Sequence, residues 1–178
     1  MDEKNIKDYF QQKLTIEHCS YNKEKKSCLV NSNFGVIKFE EVREKYLEKK
    51  NISDKDFLGA CDSIHIHQEN IYLIEFKDGK VKPKEVKSQI NSSILILMDI
   101  FKLDTSKIKD YLYLIFVYNE KANSEKECED DIPSGKLRNL TRASRFTLHY
   151  YEKLYFKEVH TLTPAQFQNE FISEWEKP

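Results

Sequence analysis

The chain has 178 residues, 39% of them hydrophobic and 33% charged, with a formal net charge of −1. That length suits one domain with a sizeable core, and that composition excludes a disordered chain. A near-neutral balance excludes a uniformly basic nucleic-acid binder, so any such contact must come from a local basic face.

No apolar run approaches the length of a membrane span, and Met1-Asp2-Glu3-Lys4-Asn5 lacks the apolar segment of a signal peptide. Both features point to the cytoplasm and to no membrane partner. The four cysteines, Cys19, Cys28, Cys61 and Cys128, follow no zinc-ribbon or redox-motif spacing and read as free thiols. Charge is unevenly spread: 120–131 is mostly acidic, 136–157 mostly basic.

In chain order, Ile6, Phe10 and Leu14 fall at helical spacing over 3–14. Residues 15–38 hold a basic turn, Lys23 to Lys26, between short apolar pieces, and stay open between strand and loop. Phe39, Val42, Tyr46 and Leu47 share one face of a helix over 39–50. Two strands are expected at about 61–67 and 70–77, joined by a short polar loop. Asp78-Gly79 stops the second strand, and Pro83 opens a helix running to about Lys102. That helix is apolar nearly all round over 94–101, so burial on several sides is expected.

Tyr111 to Tyr118 reads as an interior strand. An acidic loop follows, then a helix over 134–154 with Leu137, Leu140, Ser144, Leu148 and Tyr151 inward. Residues 155–161 suit a strand. Thr163-Pro164 caps a last helix carrying Phe167, Phe171 and Trp175. The whole of 1–178 reads as a single α/β domain, a mixed central sheet flanked by helices. Its parts are an N-terminal helical region over 1–56, a core over 57–118 and a C-terminal basic helix, strand and final helix over 132–178.

The residues that carry chemistry lie in the core. Glu75 and Lys77, two apart on a strand, project to the same face. They emerge from the otherwise apolar Ile71-Tyr72-Leu73-Ile74, where an ionised carboxylate is costly unless paired or bound to a cation. Asp62 opens the preceding strand, and an antiparallel return brings it towards Glu75. Two carboxylates and a lysine at one sheet end suit a Mg²⁺ and water site for phosphodiester chemistry. Against this stands the plainer reading of Glu75 and Lys77 as the solvated face of an edge strand.

Elsewhere, His65 and His67 alternate along the first hairpin strand opposite Ile64 and Ile66, a pattern that suits a half-exposed strand face. Arg138, Arg142 and Arg145 form a stripe offset from the apolar stripe of their helix. Such a stripe suits either a phosphate backbone or solvent.

Asp62, then Glu75-Phe76-Lys77 on a hairpin followed by a helix and a buried strand, resembles the PD-(D/E)XK nuclease superfamily over about 57–118. The residue before the aspartate is Cys61 rather than proline. The resemblance implies a restriction-endonuclease-like core and catalytic roles for Asp62, Glu75 and Lys77. Mg²⁺, with Mn²⁺ as a substitute, would be held by both acids and by the backbone carbonyl of Phe76. It also makes Gln89 on the following helix a secondary candidate, and raises Glu17 and Glu40 as possible further acids from the N-terminal region. The implied function is a metal-dependent nuclease hydrolysing phosphodiester bonds, with DNA favoured over RNA. One core carries one site, so double-strand cleavage would need a homodimer or two successive nicks. The alternative is a non-catalytic nuclease-like interaction protein, of antitoxin or immunity type or binding nucleic acid only.

Overall fold

A computed structural model describes residues 9–10, 13–54, 57–123 and 146–177. Its centre is a six-stranded mixed sheet in the order β1-β4-β5-β6-β7-β8. The strands are β1 (Lys13–Thr15), β4 (Gly35–Lys38), β5 (Ser63–His67), β6 (Asn70–Lys77), β7 (Leu112–Tyr118) and β8 (Glu158–Leu162). Strands β2 (Tyr21–Asn22) and β3 (Ser27–Cys28) form a separate small hairpin. The first four sheet strands pair antiparallel, whereas β6–β7 and β7–β8 are parallel.

The β5–β6 hairpin closes on the pair His67↔Asn70, a two-residue turn with Gln68 at φ 55°. Its register pairs Ser63 with Ile74, so one step further Asp62 stands opposite Glu75. After β6 the chain crosses over through α3 (Pro83–Phe101) to β7, which lies parallel beside β6. Pro83 takes the first helical turn, where its missing N–H costs nothing, and Lys102 ends the helix in the left-handed region.

Helices cover both faces of the sheet. On one face Leu73 and Leu114 bury against α3, through Ile90, Ile94 and Leu97, and against Val42 of α2 (Phe39–Lys49). On the other, Ile74, Ile115 and Val117 meet the C-terminal segment. That segment starts as α6 (Pro164–Phe167), with a capping box between Thr163 and Gln166. It widens into a π-helical turn (Gln168–Ile172) and ends as α7 (Ser173–Trp175). The extra residue per turn places Phe167, Ile172 and Trp175 inward together. Two short helices, α1 (Ile16–Cys19) and α4 (Thr105–Ile108), a 3-10 turn (Lys121–Asn123) and the five-residue α5 (Tyr150–Leu154) complete the described elements. Among the described residues, no helix is long and apolar enough to cross a membrane.

Several sequence expectations need correction. Lys13 and Leu14, expected to close a helix, lie in β1, and the region before residue 57 contributes four strands as well as helices. The helix expected over 134–154 does not run through its described part. Phe146 and Thr147 take φ 60° and 59°, and only Tyr150–Leu154 is α-helical. A left-handed pair interrupts a right-handed helix, and a β-branched residue there carries strain. Leu148 and Tyr151 are nevertheless buried. Over 94–101, α3 is buried on several sides but leaves Leu95 60% exposed. His65 and His67 are both half-buried, in keeping with a half-exposed strand face, but His65 turns its ring onto aromatic neighbours. It packs 4.3 Å from the Trp175 ring and 5.0 Å from Phe34.

Candidate metal and phosphate site

The site forms where β6 ends. Leu73, Glu75 and Lys77 share one face, and Leu73 belongs to the core under α3. Glu75 is therefore driven into that core and is 0% exposed. In the register of the hairpin, Asp62 and Glu75 occupy a position between ladder hydrogen bonds, where opposed side chains approach most closely.

Asp62 is fixed at both its backbone and its carboxylate. Its carbonyl accepts from Phe39 N–H at 3.1 Å, at the start of α2, and its Oδ2 accepts from Phe76 N–H at 2.6 Å. The same-side rule for strand backbone sends the Phe76 carbonyl towards Asp62 as well. Opposite it, Cys61 N–H donates instead to Ser93 Oγ at 2.9 Å. Two carboxylates thus meet, one from the entry to β5 and one from β6.

Lys77 Nζ lies 2.5 Å from Glu75 Oε1 and donates to Gln89 Oε1 at 3.1 Å. The Gln89 amide donates in turn to the Ala60 carbonyl at 3.3 Å. Gln89 thereby links α3 to the segment entering Asp62 and holds the ammonium. Gly59 permits this approach, since a Cβ there would stand 3.3 Å from Gln89 Cα.

The electrostatics are unbalanced. Lys77 and the Cys61 thiol are the hydrogen-bonding groups at the Glu75 carboxylate, and Lys77 is in ion contact with Oε1. Burial, and next the charge of Asp62, push the Glu75 carboxyl upward against the pull of Lys77. Burial also raises Asp62, partly offset by the Phe76 N–H and by Lys77. Burial opposes the charge on Lys77, but Glu75 and Asp62 outweigh it and raise the ammonium overall. Two acids facing one amine leave one acid without a counter-charge, with Glu75 fully buried and Asp62 half-buried at the cleft. Such a site either retains a proton or accepts a cation. An all-oxygen pair of carboxylates on facing strands suits Mg²⁺ or Mn²⁺. Among the described residues, His, Cys, Asp and Glu side chains do not gather in threes.

The site opens into a cleft of about 360 Å³ lined by Asp62, Phe76 and Lys77 on one side and by Cys19, Ser20 and Tyr21 on another. Asp78 joins the two sides. Lys25 Nζ contacts its Oδ2 at 2.9 Å and its carbonyl at 2.8 Å, while Asn22 and Asn119 donate to its carboxylate. In the sequence Asp78 reads as a strand stop. Its role as the anchor of the 21–28 hairpin depends on contacts more than fifty positions away, for which no local signal exists.

The secondary candidates divide. Gln89 joins the site through Lys77. Glu40 lies close enough for its charge to raise Asp62, but it is engaged with Lys38 at 2.5 Å and Arg43 at 3.6 Å. Glu17 is on α1 and does not line the cleft. Arg138, Arg142 and Arg145 lie outside the described residues. No family model, curated protein or solved structure matches this chain.

Proposed function

We propose that this protein is a metal-dependent nuclease built on a restriction-endonuclease-like core of the PD-(D/E)XK kind. The observation that carries the reading is the placement of Asp62 opposite a buried Glu75, with Lys77 on the same face and with Asp62 and Lys77 lining a cleft. Asp62, Glu75 and the Phe76 carbonyl would hold Mg²⁺, or Mn²⁺ in its place. Such a cation supplies a more acidic water and charge stabilisation for an in-line attack on phosphorus. Asp62 is oriented by the Phe76 N–H, so the ligand set is built before the cation arrives. Lys77, steered by Gln89, faces the charge that grows on the phosphate oxygens and stabilises it. Arginine at position 77 would not serve, because a compact charge must fit beside Glu75.

The substrate favoured is DNA, and double-strand cleavage would take two copies or two nicks. The close contact of Lys77 with Glu75 supports a second reading, a nuclease-like protein that binds nucleic acid or a partner without cutting. Incubation with plasmid and single-stranded substrates, in Mn²⁺ and in chelator, separates them. Cleavage in Mn²⁺ only, lost by at least about a hundredfold in Asp62→Ala, Glu75→Ala and Lys77→Ala, supports the nuclease. Cleavage that survives all three substitutions refutes this site.

A further inference from the structure

We propose that the cleft takes single-stranded nucleic acid, with the Tyr21 ring stacking on a base beside the phosphate that Lys77 faces. The proposal rests on the nuclease reading and names its substrate class. Tyr21 lines the same cleft as Asp62 and Lys77 and leaves half of its surface, 50%, open to solvent. A large aromatic ring kept bare beside a phosphate-directed lysine needs a reason, and a base face is the surface it complements.

The ring is held in place before any ligand arrives. Tyr21 pairs with Cys28 across the small hairpin, and Leu29 N–H donates to the Ser20 carbonyl at 3.1 Å. Asn22 and Lys25 fasten the hairpin to Asp78, the residue after Lys77. Base platform and phosphate site therefore share one anchor, and little ordering remains at binding. The turn of the hairpin adds exposed Lys23 and Lys26 beyond the ring, as a track for the adjoining backbone.

The choice of single strand follows from the geometry of stacking. Inside a duplex both faces of each base are covered by neighbours, so a ring on the protein finds no free face without unstacking one. A cleft of about 360 Å³ is at the small end of ligand-sized cavities.

The test is fluorescence anisotropy with labelled oligothymidylate, oligouridylate and a hairpin duplex, in chelator so that nothing is cut. Tyr21→Ala should weaken single-strand binding roughly tenfold and leave duplex binding unchanged, whereas Tyr21→Phe should keep wild-type affinity. The two oligonucleotides show whether a 2′-hydroxyl matters. Equal affinity of wild type and Tyr21→Ala for single strands, or an equal loss on duplex, overturns the proposal. Since no cleavage is read, Tyr21-dependent binding by a protein that cuts nothing would refute the nuclease reading while leaving the stacking site standing.

Discussion

The two faces of the central sheet bury ionisable groups in opposite ways. Under α3, Glu75 is fully buried beside Asp62, with Lys77 and the Cys61 thiol as its hydrogen-bonding neighbours. Under the C-terminal helices, His65 is wedged between Phe34 and Trp175, its Nε2 without a partner. Burial, with His67 and Lys13 nearby, pushes His65 down to about 4, so it is neutral and packs as an aromatic ring. A histidine can shed its charge at neutral pH and join a core cheaply. A paired carboxylate beside a lysine cannot do so without keeping a proton. The difference teaches that His65 is explained by packing, whereas Glu75 still calls for a cation.

The largest effect that sharpens this comparison is on stability. Trp175→Ala should cost about 3–5 kcal/mol in chemical denaturation, because it empties the aromatic face. Glu75→Gln should instead leave the metal-free protein at least as stable as wild type at neutral pH, since Gln needs no proton to stay neutral there and Asp62 remains as a counter-charge to Lys77. Destabilisation by Glu75→Gln as large as that of Trp175→Ala would make Glu75 a structural residue.

The pH dependence gives smaller effects of opposite sign. A carboxyl raised on folding binds its proton more tightly in the native state. Stability of the metal-free protein therefore falls as pH climbs from the ordinary carboxylate range, about 4, towards neutrality. Glu75→Gln should flatten that fall. His65 is lowered on folding, so its contribution is present above about 6.5 and is lost as pH drops towards about 4. His65→Phe should flatten the acid side of the profile. Denaturation midpoints whose pH slope changes with the same sign in both variants would break the distinction.

How far these features were legible depended on the length of the elements. The long helices α2 and α3, the β5–β6 hairpin and β7 each span enough residues for their periodicity to show. Strands of two to four residues, β1 to β4, hold too few positions for alternation to register, so the N-terminal region read as helical or open. The left-handed pair Phe146 and Thr147 carries neither glycine nor asparagine, the usual mark of such backbone. In the site, the pairing of Asp62 with Glu75 was legible because two-residue periodicity and a short turn fix register. The Phe76 N–H on Asp62, the Ser93 bond that turns Cys61 away and the Asp78 anchor were not. Each depends on three-dimensional placement of side chains that look ordinary in sequence.

The most direct test of a carboxylate pair kept for a cation is calorimetric titration of Mn²⁺ into four proteins: wild type, Asp62→Asn, Glu75→Gln and Lys77→Ala. The account predicts one bound ion in the wild type and a loss of at least about tenfold in affinity for each acid variant. Lys77→Ala should bind as well as wild type or better, since removing an ammonium lowers repulsion. Wild-type protein that binds no Mn²⁺, or acid variants that bind it undiminished, would contradict the account.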